Sequence, residues 1–322
     1  MKSILVTGGA GYIGSVACEE LLKNDFNVIV IDDLSTGNKN AIFPESVFYN
    51  TRLNNKKALK EIFTTHHISA VLHFAGAALV SESVQNPQKY FDINFIDGII
   101  LIETMLEHNV KNIIFSSTCA TYGIPKETDI PISENTKQKP INPYGESKLL
   151  FEQSLKWHSQ NKGLKYIALR YFNVCGATKL RGEYHNPETH LIPLLLRSLK
   201  YKNEKFKIFG TDYPTPDGTT IRDYIHVVDL INGHIDALNA LIENRSVNQE
   251  YNIGYGHGYS VLEIMKETEI LFKQKVDFEF CDRRPGDPPI LVANPAKIKK
   301  ELGWNPIHDN ISKIIESTGW HI

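Results

Sequence analysis

Tyr144 and Lys148 stand four residues apart in the run Asn142-Pro143-Tyr144-Gly145-Glu146-Ser147-Lys148. On a helix that spacing puts both side chains on one face, and Asn142 and Pro143 supply helix-start signals. A phenol beside an ammonium is a proton-transfer pair. The ordinary tyrosine pKa near 10 is too high for a base at neutral pH, and nearby positive charge lowers it. By itself the pattern describes two surface residues on many helices. Its weight comes from Phe115-Ser116-Ser117-Thr118, which closes an apolar run. The carboxyl edge of a parallel sheet is where ligands bind. Thr118 can share a hydrogen bond there with a reacting oxygen next to Tyr144, although a hydroxyl in that place also caps turns.

A second grouping binds rather than reacts. Thr7-Gly8-Gly9-Ala10-Gly11-Tyr12-Ile13-Gly14 follows an apolar run and opens a helical pattern. Gly9-x-Gly11-x-x-Gly14 fits the dinucleotide fingerprint, and Gly8-x-x-Gly11-x-x-Gly14 fits its short-chain variant. Such glycines permit a tight turn, let the backbone approach a pyrophosphate and let helix and strand pack closely. Free N–H groups and the dipole at the helix start favour the anion. The next apolar run ends in Asp32, eighteen residues after Gly14. A carboxylate there accepts ribose hydroxyls and repels a 2′-phosphate, and Asp33 adds to the repulsion. The motif therefore points to NAD rather than NADP.

The elements that must position these groups are legible as alternating patterns. Residues 3–6, 27–31, 46–49, 70–74, 112–116 and 166–170 read as strands, and 11–23, 56–65, 87–107 and 144–160 as helices. Alternating βα units with continuous apolar strands predict an α/β fold, a doubly wound parallel Rossmann sheet. After about Asn173 loops lengthen, and glycine and proline cluster at 209–218 and 283–289. Helical patterns continue at 190–201, 228–243 and 260–273. The expected division is an NAD-binding part over 1–173, with a return to the sheet around 225–241, and a second, smaller α/β substrate domain over 174–322.

Composition narrows the class. The 322 residues are 42% hydrophobic and 22% charged with net charge −2, which reads as soluble and globular. Nothing basic argues for nucleic acid, and no apolar run approaches the roughly 18–20 residues that span a bilayer. The start Met1-Lys2-Ser3-Ile4-Leu5-Val6 reads as a first strand, not a signal peptide. Cys18, Cys119, Cys175 and Cys281 form no CxxC pair, which fits reduced thiols and a cytoplasmic location. His66-His67 and His185…His190 lack recognised zinc spacing, so no metal is expected.

Together these pieces resemble the extended short-chain dehydrogenase/reductase family. Within it they are similar to the UDP-sugar 4-epimerases. The resemblance runs through Arg170-Tyr171-Phe172-Asn173, Pro187-Glu188-Thr189-His190-Leu191-Ile192-Pro193, Ile208-Phe209-Gly210-Thr211-Asp212-Tyr213 and Ile221-Arg222-Asp223-Tyr224-Ile225-His226. It continues through Arg283-Arg284-Pro285-Gly286-Asp287 and Glu301-Leu302-Gly303-Trp304, and so covers essentially the whole chain.

The resemblance implies an isomerase that interconverts UDP-glucose and UDP-galactose. Tyr144 takes the proton of the 4-hydroxyl while hydride passes to tightly bound NAD. A 4-keto sugar forms, turns over in the site and is reduced on its other face. By the same resemblance Gly8, Gly11, Tyr12, Ile13, Gly14, Asp32, Phe74, Ala75, Asn94, Lys148 and Tyr171 match NAD contacts. Thr118, Tyr144, Phe172, Asn173, Leu191, Phe209, Arg222, Arg284, Asp287 and Leu291 match the UDP-sugar site. Two arginines suit a diphosphate because guanidinium pairs bidentately with phosphate oxygens. A homodimer joined through the helices near 87–107 and 144–160 is implied as well.

Three departures stand out. Asn50-Thr51-Arg52 replaces a usual Gly-Asp-Ile, weakening the expected grip on adenine. Asp33 replaces a frequent asparagine. Leu291 stands where some members carry tyrosine, which implies room for UDP-N-acetylglucosamine or UDP-N-acetylgalactosamine. Other readings are a 4-epimerase of a uronic acid or pentose, a sugar-nucleotide dehydratase or decarboxylase, or a non-catalytic NAD-binding protein. Thr118-Cys119-Ala120 lacks the acid that dehydration or decarboxylation needs, and the Thr118, Tyr144, Lys148 set argues against a non-catalytic role.

Overall fold

The computed structural model describes residues 1–185, 187–201, 205–245, 248–284 and 286–319. Pro285 of the Arg283-to-Asp287 motif lies outside the described residues. Six strands, β1 (Ser3–Thr7), β2 (Asn27–Asp32), β3 (Val47–Asn50), β4 (Ile68–His73), β5 (Asn112–Thr118) and β6 (Lys165–Tyr171), join the strand Gln249–Ile253 in one sheet. All of their pairings are parallel. The order across the sheet is Gln249–Ile253, β6, β5, β4, β1, β2, β3. The chain builds outward from β1 to β3, then returns to β4 on the other side of β1. That reversal opens a crevice at the carboxyl ends of β1 and β4.

The strand residues explain the layering. Ile4, Val6, Val28, Val30, Leu72 and Ile114 face one buried core, and Leu5, Ile29, Ile31, Val71, Ile113 and Phe115 face another. Alternate residues are apolar on both sides, so each strand reads as a continuous apolar run. The first core continues into Leu195, Ile264 and Trp304 of the second half, which fuses the two halves. The edge strand Gln249–Ile253 was not legible in the sequence. Its Gln249, Glu250 and Asn252 break the apolar pattern, yet Tyr251, Asn252 and Ile253 are buried. The helix Val227–Ile242 leads into it and packs on the first helix, Tyr12–Lys23.

Two long helices carry the residues of interest. The stretch expected at 87–107 is helical, but Asp92–Ile96 is a π turn between Pro87–Phe91 and Asp97–Glu107. Such turns often occur at functional sites, and this one contains the buried Asn94. The second helix is Pro143–Lys162. The Asn142 side chain caps it by accepting the Gly145 N–H at 2.8 Å, and Gly163 at φ +69° ends it.

A buried ion pair fastens that helix to the sheet. Arg170 of β6 donates twice to Glu152, Nε at 3.0 Å and Nη2 at 2.7 Å, with both side chains 4% exposed. Arg170 Nη1 donates to the Tyr122 hydroxyl, which donates to Asn252 of the edge strand at 2.7 Å. Ser117 of β5 donates to the same carboxylate. In the second half, short strand pairs align Asn173 with Tyr224 and Arg222 with Leu291. Among the described residues no helix is long and apolar enough to cross a membrane, and all four cysteines are free thiols.

Candidate active site

The glycine turn closes on itself with no room for side chains. Gly8 sits at φ +74°, and a Cβ on it would lie 2.6 Å from the Ala75 nitrogen. A Cβ on Gly14 would lie 2.1 Å from the Gly8 carbonyl oxygen, whereas one on Gly11 would stand 3.3 Å from the same atom. Gly11 begins the first helix with no side-chain cap, so the first N–H groups of Tyr12, Ile13 and Gly14 are open to an anion. Asp32 braces the turn from the end of β2, accepting from Ala10 N at 3.0 Å and Leu34 N at 2.8 Å. Burial raises its carboxyl above the usual range, and those two N–H bonds oppose the rise. Tyr12 spends its hydroxyl on the protein, donating to the Gly176 carbonyl at 2.5 Å.

The loop after β4 crosses the turn. Phe74 N and Ala75 N both donate to Thr7 O at 3.0 Å. Asn94 holds this loop to the Pro143–Lys162 helix. It accepts from Ala77 N at 2.8 Å and donates to Ala77 O and Ser147 Oγ, each at 3.0 Å. Thr51, at the sequence departure after β3, donates weakly to the Arg52 carbonyl at 3.4 Å, and Arg52 pairs with Asp97 at 2.7 Å.

At the end of β5, Thr118 caps a turn and adjoins Tyr144. Its Oγ1 accepts the Ala120 N–H at 3.1 Å as a cap, and its side chain is near enough to Tyr144 to favour the ionised phenol. Lys148 is buried, donates to the Ser116 carbonyl at 3.0 Å and lies 4.9 Å from the centre of the Phe115 ring. Burial pushes the Lys148 amine down to about 8, partly offset by Glu152. The expected lowering of the Tyr144 phenol rested on the Lys148 ammonium together with the positive nicotinamide of NAD; in the chain by itself the phenol is raised. Burial pushes it up to about 12, against a smaller lowering by Thr118. Burial outweighs the effect of Thr118, so the protein alone does not make Tyr144 a base.

Three supporting groups were missed. Tyr171 is hydrogen-bonded to His234. His234 Nδ1 is 2.9 Å from the Leu230 carbonyl, which assigns it the proton and leaves Nε2 to accept from Tyr171. Burial holds His234 down at about 4, hence neutral. His73, packed between Phe115 and Phe151, is held down at about 3 by burial and by Lys148, and its Nδ1 is bonded to Thr7 Oγ1 at 2.7 Å. Glu152 continues the Tyr144, Lys148 spacing by four more residues on the same helix face. That periodicity was the available signal.

The second half supplies the rest. Arg222 and Asp287, expected on different parts of a ligand, pair with each other at 2.5 Å. Arg222 also donates to the carbonyls of Ile221, Pro288 and Pro289, so its charge is fixed in place. The exposed Arg284 guanidinium lies 4.2 Å from the centre of the Phe209 ring. Phe172 and Leu291 are buried with Cys119 in one apolar cluster behind Thr118. Asn173 donates its backbone N–H to the Asp223 carbonyl at 2.9 Å, and Leu191 begins a helix, Leu191–Lys200.

The clash at Gly14 is with backbone, which cannot step aside. G14A is expected to lower the thermal stability of the ligand-free protein by about 1–3 kcal/mol, although alanine is the better helix former. G11A, with 3.3 Å available, is expected to stay within about 0.5 kcal/mol of the parent. Urea unfolding of both variants checks this, and equal stabilities would contradict the packing described for the turn.

Residues 4–254 match the NAD dependent epimerase/dehydratase family. The UDP-glucose 4-epimerase of Streptococcus mutans is 46% identical, over 99% of this chain and 96% of its own length. The crystal structure of UDP-glucose 4-epimerase from Brucella ovis in complex with NAD superposes with a TM-score of 0.95, at 39% identity over 100% of this chain and 98% of that one. The UDP-Glc/GlcNAc 4-epimerase of Campylobacter jejuni gives a TM-score of 0.86 at 38% identity, over 99% of each chain. With its parallel sheet, its glycine turn and the Thr118, Tyr144, Lys148 group at one sheet edge, the chain belongs to the NAD dependent epimerase/dehydratase family.

Proposed function

We propose that the protein interconverts UDP-glucose and UDP-galactose by inverting C4 of the sugar, with NAD as a resident cofactor. The observation that carries this reading is the meeting of Thr118, Tyr144 and Lys148 at the carboxyl end of β5, beside the glycine turn. The residues fit NAD. The turn leaves bare backbone where any Cβ on Gly8 or Gly14 would intrude, the helix start is uncapped, and Asp32 stands ready for ribose hydroxyls at the end of β2. NAD, when bound, supplies the two-electron acceptor and donor for sugar C4.

The chain's own residues handle the proton and the orientation. Tyr144 accepts the proton of the C4 hydroxyl and later returns it. Thr118 stands beside the phenol and favours its ionised form. Lys148 brings positive charge within the same pocket wall, and Tyr171, fixed by neutral His234, closes it. Arg222 with Asp287, and Arg284 with Phe209, form the polar and aromatic groups for the diphosphate and the uracil nucleoside. No second acid stands at Cys119, whose thiol burial pushes up to about 12, which disfavours dehydration and decarboxylation. Residues 1–173 with the return through 225–253 hold the cofactor, and the remainder of 174–322 holds the UDP-sugar. The free thiols support a cytoplasmic location.

Y144F removes the proton carrier but leaves the glycine turn intact. Its turnover of UDP-galactose is expected to fall about 10²–10⁴-fold, while NAD released on denaturation stays at parent levels. Unchanged turnover would sink the mechanism.

N-acetylated sugars fit the same site. Leu291 is buried in the same apolar cluster as Phe172, and the Campylobacter jejuni relative bears a name with both sugar classes. The protein is expected to epimerise UDP-N-acetylglucosamine, and L291Y to lose about tenfold or more of that activity while keeping the hexose reaction. Absence of any N-acetylhexosamine turnover by the parent would refute this.

The protein forms a homodimer through its two long helices. Trp157 is 67% exposed and Ile96 45% exposed, and both lie on adjoining helical segments that contact one another. Exposed apolar surface of this kind marks an interface. Light scattering after size exclusion should give two copies for the parent and one for I96E/W157E. A monomeric parent would disprove the pairing.

A further inference from the structure

The loop that leads into Leu191 gathers four metal-ligating side chains to which the proposed reaction gives no role. It joins the strand Asn173–Cys175 to the helix Leu191–Lys200 and contains two Glu-x-His pairs, Glu183-Tyr184-His185 and Glu188-Thr189-His190. One ligand atom from each of Glu183, His185, Glu188 and His190 lies within 4.8 Å of all the others. Glu183 Oε1 is 2.9 Å from His185 Nδ1 and 2.6 Å from His190 Nδ1. His190 Nδ1 is also 2.8 Å from Glu188 Oε1. The two imidazole centroids are 4.9 Å apart.

Hydrogen bonding alone does not account for this arrangement. His190 Nδ1 carries at most one proton, yet it faces two carboxylates. Glu183 is 2% exposed at its side chain, and its Oε2 is buried with no hydrogen-bond partner. The same carboxylate aims Oε1 at both imidazoles. A buried carboxylate with an unanswered oxygen is costly until a donor or cation completes it.

We propose that Glu183, His185, Glu188 and His190 form a structural zinc site. Imidazole nitrogen and carboxylate oxygen are zinc ligands, and four protein ligands close a tetrahedral site with no open position for catalysis. Two carboxylates and two neutral imidazoles balance one divalent ion. Sequence spacing concealed the site because neither pair matches a Cys/His zinc pattern; the repeated Glu-x-His was the signal. His190 is the residue before the helix Leu191–Lys200, and the Tyr12 ring meets His185 edge-on at 6.3 Å. The metal would therefore pin the loop between the first helix and the helix that begins at Leu191.

Protein stripped with a chelator is dialysed against zinc chloride, and bound metal is counted by mass spectrometry. The expected ratio is about one zinc per chain, falling about tenfold or more in E183Q and in H190N and unchanged in H257N, at an exposed histidine elsewhere. Cobalt supplies a readout on the unaltered protein: visible absorption of a tetrahedral nitrogen–oxygen site that zinc abolishes. Failure of the parent to hold zinc, equal retention by E183Q and H190N, or no cobalt absorption would each overturn the assignment.

Discussion

The bidentate pair between Arg170 and Glu152 is the constraint on which the rest of the site depends. It is buried, so neither charge is tolerable without the other, and removal of one partner of such a pair costs about 3–5 kcal/mol. Each remaining polar atom around it is answered. Ser117, Gln138, Tyr122 and Asn252 complete the network. The result is that β5, β6, the edge strand and the Pro143–Lys162 helix share one fixed geometry. Tyr144 and Lys148 stand two turns and one turn upstream of Glu152 on that helix. Their positions relative to Thr118 and Ser116 follow from where Glu152 is held.

Around that anchor the site is built from groups kept deliberately neutral or fully committed. His73 and His234 are held uncharged by burial. Lys148 is lowered to about 8 by burial and tied to a carbonyl. Tyr144 is raised, so the resting phenol keeps its proton. Among the described residues, charge is placed at Asp32, at the Lys148 ammonium and, in the second half, at Arg222, Asp287 and Arg284.

Much of this was legible in the sequence because local rules and tertiary needs agreed. The strands β1, β2, β4, β5 and β6 are buried on both faces, so hydrophobicity alone marks them. The glycine turn is legible because sterics at Gly8 and Gly14 leave no other residue type. What stayed hidden depends on partners distant in the chain. Gln249–Ile253 is a strand because β6 offers it a ladder, not because its residues are apolar. Arg222 and Asp287 looked like two ligand contacts because nothing local says that they face each other. Spacing placed Lys148 near Tyr144 but could not reveal that both are buried, or that Lys148 bonds the Ser116 carbonyl.

The edge strand has a consequence for how the chain is made. Until residues 249–253 leave the ribosome, β6 presents a bare row of backbone donors and acceptors, a template for pairing with another chain. Tyr122 lacks its Asn252 acceptor over the same interval. The first half of the protein therefore reads as a complete nucleotide-binding unit but is born unfinished, and its vulnerability to misassembly lasts for about eighty further residues of synthesis.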